Sequence, residues 1–259
     1  MQICYYPGCT LKSKAVDLDI QARKIAEKLG IEMVDIDKWQ CCGAEYPTAP
    51  NETATKLSAV RALNYAKSHG GKLLTLCSAC HNVLKRVNED MRTNEKTIMK
   101  ANIYLELNPE YRGETEVIHY LEMLKNVVGF DKIKSMVVKP LNRKVAAYYG
   151  CLLLRPSNVM KFDNPENPTI LEDLIVALGG TPVKYSHKNE CCGAYVSIKS
   201  PDLAKKKSQS ITDDAKAFGA DELITACPLC YYNLKKNCGE NLKISYFTAL
   251  MMEALGIDG

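Results

Sequence analysis

Cys191-Cys192-Gly193-Ala194 repeats Cys41-Cys42-Gly43-Ala44 letter for letter, 150 residues downstream. A second motif follows each pair after 34 intervening residues, Cys77-x-x-Cys80 in the first case and Cys227-x-x-Cys230 in the second. A single cysteine precedes each pair, with 31 residues between Cys9 and Cys41 and 39 between Cys151 and Cys191. The flanks agree too: Tyr5-Tyr6-Pro7-Gly8-Cys9 echoes Tyr148-Tyr149-Gly150-Cys151, and Leu73-Leu74-Thr75-Leu76-Cys77 echoes Leu223-Ile224-Thr225-Ala226-Cys227. Ten of the 12 cysteines therefore belong to two copies of one five-cysteine pattern. An internal repeat of this length constrains the fold before any single element is assigned.

Around each copy, short apolar runs alternate with longer helical patterns, as in α/β units. In the first copy we expect strands over 2–6, 31–36 and 72–76, a helix over 13–29 with Ser13 as N-cap and Gly30 as stop, and a helix over 51–69. The second copy predicts strands over 145–149, 182–185 and 222–226 and helices over 169–178 and 202–218. The stretch 81–142 repeats least, with a helix after Cys80, a polar region, and a helical pattern over 117–128 answered by a terminal helix over 246–255. Lys139-Pro140-Leu141-Asn142-Arg143-Lys144 reads as a linker. The expectation is two pseudo-symmetric α/β domains, 1–139 and 140–259, each a small mainly parallel sheet flanked by helices. Every cysteine motif then sits just past a strand end, the edge where open α/β sheets build their sites, so the sites fall near the domain interface.

With 46% hydrophobic and 25% charged residues over 259 positions, the chain has enough apolar surface to bury a core and is not disordered. It has no need of the disulfide staples of small secreted proteins, and Met1-Gln2-Ile3-Cys4 resembles no signal peptide. The longest apolar run, 145–154, is shorter than the roughly 20 residues of a membrane span. A net charge of +4 is too small to indicate nucleic acid. We expect a soluble, cytoplasmic protein, where grouped cysteines serve metal or redox chemistry.

Cys-x-x-Cys at a strand-to-helix turn lets both sulfurs face one metal, and the helix N-terminus favours the thiolate. Alone it suits zinc, an iron–sulfur cluster or a thioredoxin-like pair. Adjacent Cys-Cys-Gly is more restrictive. Neighbouring residues hardly aim two sulfurs at one tetrahedral ion, but they reach different irons of a cluster, and the glycine lets backbone come close. Structural zinc and a cubane cluster each take four ligands, so five cysteines per copy exceed both. Either one per copy is spare, or the cofactor is a cluster of unusual connectivity; recurrence of the surplus favours the second. Zinc in one domain stays open. Cys4 reads as a small buried hydrophobe and Cys238 as exposed or idle. For His81 and His187, surface or capping roles are expected ahead of outer-sphere or proton-donor roles. Lys12, Arg155 and Lys188 read as ordinary solvated charges, and the paired tyrosines as packing residues.

The doubled pattern resembles the cysteine-rich CCG domain pair found in the B subunit of heterodisulfide reductase, over nearly the whole chain. The resemblance implies two noncubane 4Fe-4S clusters, one on Cys9, Cys41, Cys42, Cys77 and Cys80 and the other on Cys151, Cys191, Cys192, Cys227 and Cys230. It implies an iron–sulfur oxidoreductase that cleaves a small-molecule disulfide, such as the coenzyme M–coenzyme B disulfide of methanogens. A disulfide takes two electrons and a cluster usually passes one, so each of two facing clusters would bind one sulfur and donate one electron.

The chain carries neither a ferredoxin cysteine run nor a G-x-G-x-x-G fingerprint, so its electrons come from a partner. The resemblance points to a small ferredoxin-like partner, the C subunit of such complexes, fed by a flavin-containing A subunit, with hydrogenase or formate dehydrogenase in the same complex. Related CCG proteins also serve glycolate or lactate oxidation and succinate or fumarate reductase assemblies, which keeps open a non-catalytic role in electron transfer or as a scaffold. A zinc-stabilised binding module is the third class.

Overall fold

The computed structural model describes residues 1–44 and 53–258. The first copy runs β1 (Gln2–Tyr6), α1 (Gly8–Leu11), α2 (Val16–Lys28), β2 (Glu32–Asp35), α3 (Leu57–Ser68), β3 (Lys72–Thr75), α4 (Ser78–Thr93), α5 (Glu95–Leu105), β4 (Glu116–His119), α6 (Tyr120–Met123) and α7 (Phe130–Ser135). The second runs β5 (Lys144–Tyr148), α8 (Ser157–Met160), α9 (Ile170–Ala177), β6 (Thr181–Val183), α10 (Pro201–Ala217), β7 (Glu222–Thr225), α11 (Pro228–Cys238), β8 (Lys243–Tyr246) and α12 (Phe247–Leu255). Each copy builds a four-stranded parallel sheet, in the orders β2-β1-β3-β4 and β6-β5-β7-β8. The α/β class and the two pseudo-symmetric units expected from the sequence are thus present.

Parallel strands buried on both faces need near-continuous apolar runs. Ile3 to Tyr6, Leu73 to Thr75 and Val145 to Tyr148 supply them, all buried. Strand order reverses between β1 and β3, and again between β5 and β7. Those switch points open crevices at the carboxyl ends of the sheets, and Cys9, Cys77, Cys151 and Cys227 stand just past the strands that flank them.

Four sequence expectations need correction. The helix over 13–29 starts only at Val16 with Ala15 at its N-cap, because Ser13 Oγ donates to the Cys9 carbonyl at 2.8 Å and closes the cysteine turn instead. The pattern over 117–128 begins as strand β4, paired with β3 through Leu73 and Val117, and turns helical only at Tyr120. Strand β8 likewise precedes the terminal helix, which starts at Phe247. Between the helix after Cys80 and the polar region lies a further, unexpected helix, α5, capped by the Asn94 side chain, which accepts from the Thr97 amide at 3.0 Å. The helix expected over 51–69 is seen as a 3-10 turn at Ala54–Lys56 followed by α3; positions 51 and 52 lie outside the described residues.

The two copies share one apolar core that runs from Ile3 to Leu255. Helix α12 of the second packs on α2 of the first, where Lys28 Nζ donates to the Leu255 carbonyl at 2.6 Å and Thr248 Oγ1 to Gln21 at 2.7 Å. The sheets are therefore held as neighbours with their carboxyl ends converging. Among the described residues, no helix is long and apolar enough to cross a membrane.

Candidate metal centre

The turn after β1 is made by Gly8 at φ +71°, and that after β5 by Gly150 at φ +67°. A Cβ on Gly8 would lie 2.8 Å from Cys80 Sγ, and one on Gly150 3.1 Å from Cys230 Sγ. Only glycine lets this backbone cross so close over a sulfur while in a left-handed conformation. The next residue in each turn is the single cysteine of its copy, Cys9 or Cys151.

Tyrosines position the adjacent pairs. Tyr6 ends β1 and donates its phenol proton to the carbonyl of Gln40, the residue before Cys41. Tyr148 ends β5 and donates to Glu190, the residue before Cys191, at 2.7 Å. Both rings are buried, so the bond ties the cysteine-pair loop to the sheet. Sequence reasoning assigns these rings to packing; the signal for their second role is the recurring Tyr-x-Gly-Cys, Tyr6-Pro7-Gly8-Cys9 against Tyr148-Tyr149-Gly150-Cys151. After each pair Gly43 and Gly193, at φ +88° and +84°, turn their amides back toward Cys41 Sγ at 3.5 Å and Cys191 Sγ at 3.4 Å. An amide aimed at sulfur favours the thiolate a metal requires.

Cys77 and Cys227 are the N-caps of α4 and α11, in extended conformation, and Cys80 and Cys230 sit in the first turns. In the first copy Cys41 Sγ is 3.5 Å from Cys9 Sγ, and Cys42 Sγ 3.5 Å from Cys80 Sγ. In the second, Cys192 Sγ is 3.6 Å from Cys230 Sγ, and all five cysteines line one enclosed cleft roofed by Tyr149, Tyr195 and Leu229. Cys77 and Cys227 are neighbours across the copies, since one hydroxyl, Tyr246 Oη, reaches the carbonyls that precede both. All ten predicted cysteines thus lie along one seam. The sulfurs meet in a chain of pairs; among the described residues, no three thiol, imidazole or carboxylate groups close on a single point.

Within the seam some thiols give up protons to others. Hydrogen bonds from Cys41 and Cys80 pull Cys42 well below the ordinary thiol range, and the bond from Cys151 lowers Cys191 to about 6. Cys80 is pushed up by its bonds to Cys42 and Cys77, and Cys151 by its bond to Cys191. Thiolate-forming, and with six of its ten cysteines buried, the donor set suits a thiophilic, electron-rich cofactor.

Two polar side chains lock the copies together at the seam. Ser78 Oγ donates to the Ala226 carbonyl at 2.8 Å, and Tyr246 Oη lies 2.7 Å from the Leu76 carbonyl and 2.9 Å from that of Ala226. Within the first copy, His119 Nε2 is 3.1 Å from the same Leu76 oxygen. Leu76 and Ala226 immediately precede Cys77 and Cys227, so these bonds fix the spacing of the two Cys-x-x-Cys turns.

The other residues singled out in the sequence stay off the seam. Cys4 is buried, its thiol 3.3 Å from the His69 carbonyl, as expected of a small core residue. Cys238, read as exposed or idle, is buried at the end of α11, against the second copy's own core. His187 binds Asp214 through Nδ1 at 2.8 Å. Lys12 pairs with Asp19 and Asp35, Lys188 with Glu172, and Arg155 with Glu166, so none is a free charge. His81 is not at the surface: it is fully buried with its pKa driven down by desolvation, and its Nε2 has no hydrogen-bond partner and lies 3.6 Å from Glu122.

Two sheets that carry a repeated five-cysteine seam define the class, and a family comparison agrees. The cysteine-rich CCG domain matches this chain twice, over residues 3–85 and 145–235, and the chain belongs to that family. It is 33% identical to the 8-methylmenaquinol:fumarate reductase membrane anchor subunit of Wolinella succinogenes, over 90% of this chain and 81% of that one. It is 28% identical to the B subunit of the ferredoxin/F420H2-dependent CoB-CoM heterodisulfide reductase of Methanosarcina acetivorans, over 98% and 89% of the two chains. A protein of Archaeoglobus profundus, described as like the heterodisulfide reductase B subunit, is 31% identical over 88% of this chain and 78% of its own length. Among solved structures, a hypothetical protein from Helicobacter pylori superposes with a TM-score of 0.76 at 12% identity, over all of this chain and 49% of that one, a likeness of fold alone.

Proposed function

We propose that this chain is an iron–sulfur oxidoreductase subunit whose two copies hold two noncubane 4Fe-4S clusters and split a small-molecule disulfide. In this reading Cys9, Cys41, Cys42, Cys77 and Cys80 hold one cluster, Cys151, Cys191, Cys192, Cys227 and Cys230 hold the other, and the units divide at 139/140. The observation that carries it is the seam: ten cysteines from two sheets brought together, with the turns of Cys77 and Cys227 held side by side by Tyr246 and Ser78. Bound there, clusters would exchange single electrons, and two of them match the two electrons a disulfide takes up. The chain's own part is to hold the thiolates. Gly8 and Gly150 admit the sulfurs, Tyr6 and Tyr148 anchor the pairs, the Gly43 and Gly193 amides face thiolate sulfur, and Tyr246 and Ser78 fix the distance between the copies.

The CoB-CoM heterodisulfide reductase relative supports a heterodisulfide of that type as the substrate class. The partners in this reading are a ferredoxin-like C subunit and a flavin-containing A subunit, joined to hydrogenase or formate dehydrogenase. A second reading, an electron-relay or anchoring role with no substrate of its own, is favoured by the fumarate reductase relative at 33% identity. Anaerobic purification tests both. The proposal expects about eight irons per chain and viologen-driven cleavage of a mixed disulfide. Zinc without iron overturns the cluster assignment. Full iron with no disulfide turned over, and co-purification with a dehydrogenase or fumarate reductase, establishes the relay.

A further inference from the structure

Past Cys191-Cys192-Gly193 the chain makes a 3-10 turn, Ala194–Val196, and enters α10 with Pro201 in its first turn. Four large apolar side chains in this short stretch face water: Tyr195 is 45% exposed, Val196 38%, Leu203 43% and Ile198 96%. Lys199, Lys205, Lys206 and Lys207 are exposed around them against a single acid, Asp202. Among the described residues none of these lysines has an ion-pair partner within 4.0 Å. An apolar centre with a charged rim is the anatomy of a protein-binding surface, and unpaired lysines set the sign of the partner.

The patch is continuous with the seam. Tyr195 lines the cysteine cleft of the second copy, and its phenol donates to the carbonyl of Ala44, beside the first copy's pair, at 2.9 Å. The Lys207 charge is felt at Cys191, and its stem passes Gly193. One residue thus separates an exposed basic surface from both cysteine pairs.

We propose that this face is where a small, acidic, one-electron carrier protein docks to supply the cysteine-held centres. The proposal rests on reading the seam as an electron-transfer site, and it assigns that site's entry to the second copy. An anionic membrane fits less well, because a broad layer of acidic headgroups would also meet the exposed Asp213 further along α10, whereas a small carrier seated over 195–207 meets only Asp202.

The test uses the full chain, purified anaerobically, with an acidic 2Fe-2S ferredoxin as the probe. Ferredoxin should bind with an affinity that falls with salt, and Ile198→Glu and the pair Lys205→Glu/Lys206→Glu should each weaken binding about tenfold or more. Ferredoxin-driven bleaching of the chain's visible absorbance should slow to match, with dithionite-driven bleaching unchanged. Wild-type affinity in both variants, no ferredoxin binding at all, or variants that lose only sedimentation with phosphatidylglycerol vesicles would each overturn the proposal. The binding measurement stands whether or not a disulfide is turned over, so its failure is distinct from failure of the catalytic reading.

Discussion

In the first copy Cys9 and Cys41 are exposed, whereas their counterparts Cys151 and Cys191 are half-buried. The difference traces to one connection. Residues 7–15 join β1 to α2, but residues 149–169 join β5 to α9 and include α8. That longer stretch roofs its own copy, where Lys188 Nζ and the Tyr149 phenol both bind Glu172 and Asn189 Nδ2 donates to the Pro165 carbonyl at 2.7 Å. It also leans on α4 of the other copy. Asn82 Nδ2 donates to the Leu152 carbonyl at 2.7 Å and to that of Arg155 at 2.8 Å, and Phe162 sets its edge against His81 and His119. The repeat builds the thiol scaffold; divergence decides which half of it meets solvent.

The largest effect that separates the copies is loss of one site at a time. Cys80→Ser and Cys230→Ser should each halve the iron bound, from about eight to about four per chain, if each copy holds its own four-iron cluster. Iron and acid-labile sulfide analysis reads this directly. Loss of all iron in either variant would show that the seam holds one joined cofactor.

Next come the glycines over the sulfurs. Gly8→Ala forces a Cβ to 2.8 Å from Cys80 Sγ and Gly150→Ala one to 3.1 Å from Cys230 Sγ, both at positive φ. Backbone strain of about 1–2 kcal/mol adds to about 1–3 kcal/mol of overpacking, so each should destabilise the fold by roughly 2–5 kcal/mol. The tighter first copy should suffer more. Denaturant melts of both variants rank them, and equal or reversed losses would mean that the second turn has less room to adjust than the distances imply.

A smaller change should make the copies alike. Asn82 is 1% exposed, and Asn82→Ala strips the donor from two carbonyls of the roof, a loss of about 1–3 kcal/mol. In iron-free wild-type protein a bulky maleimide should label Cys9 and Cys41 well before Cys151 and Cys191. In the variant, peptide mapping should find Cys151 labelled nearly as fast as Cys9. Unchanged protection would place the roof's hold on Glu172 and Pro165 rather than on α4.

Much of this was legible in the letters, because cysteine spacing is set by the strand–helix unit and survives divergence of everything between. The parallel strands declared themselves as apolar runs. What escaped was short or shared. Strands β4 and β8 are four residues each and run straight into apolar helices, so two periods overlap without a turn signal. Helix α5 follows α4 after the single residue Asn94, with no glycine or proline between them, so the two helical patterns merge in the sequence. The bonds from Tyr246 and Ser78 that set the spacing of the copies join residues 148 to 170 positions apart, a distance no local pattern encodes.

The finest distinction concerns Tyr6 and Tyr148. Each hydroxyl donates one bond to the carbonyl before a cysteine pair, and burial pushes both phenol pKa values up, with nearby cysteine sulfurs adding to the effect. Neither ring therefore ionises in the working range, and each acts as a fixed neutral donor. Removing the hydroxyl leaves the Gln40 or Glu190 carbonyl short of a partner, at a cost of about 1 kcal/mol in either copy. The consequences should still differ. Glu190 lies beside a loop that Asn189 and Lys188 also hold, so Tyr148→Phe should lower stability without loosening Cys191. Gln40 is flanked by lighter ties, Arg61 on its side chain and Ser58 Oγ on the Cys41 carbonyl at 3.0 Å, so Tyr6→Phe should loosen the Cys41-Cys42 loop and quicken maleimide capture of Cys42 in iron-free protein. Equal labelling of Cys42 and Cys192 in the two variants would mean that the tyrosine is the main anchor in both copies, and that the roof adds cover without adding order.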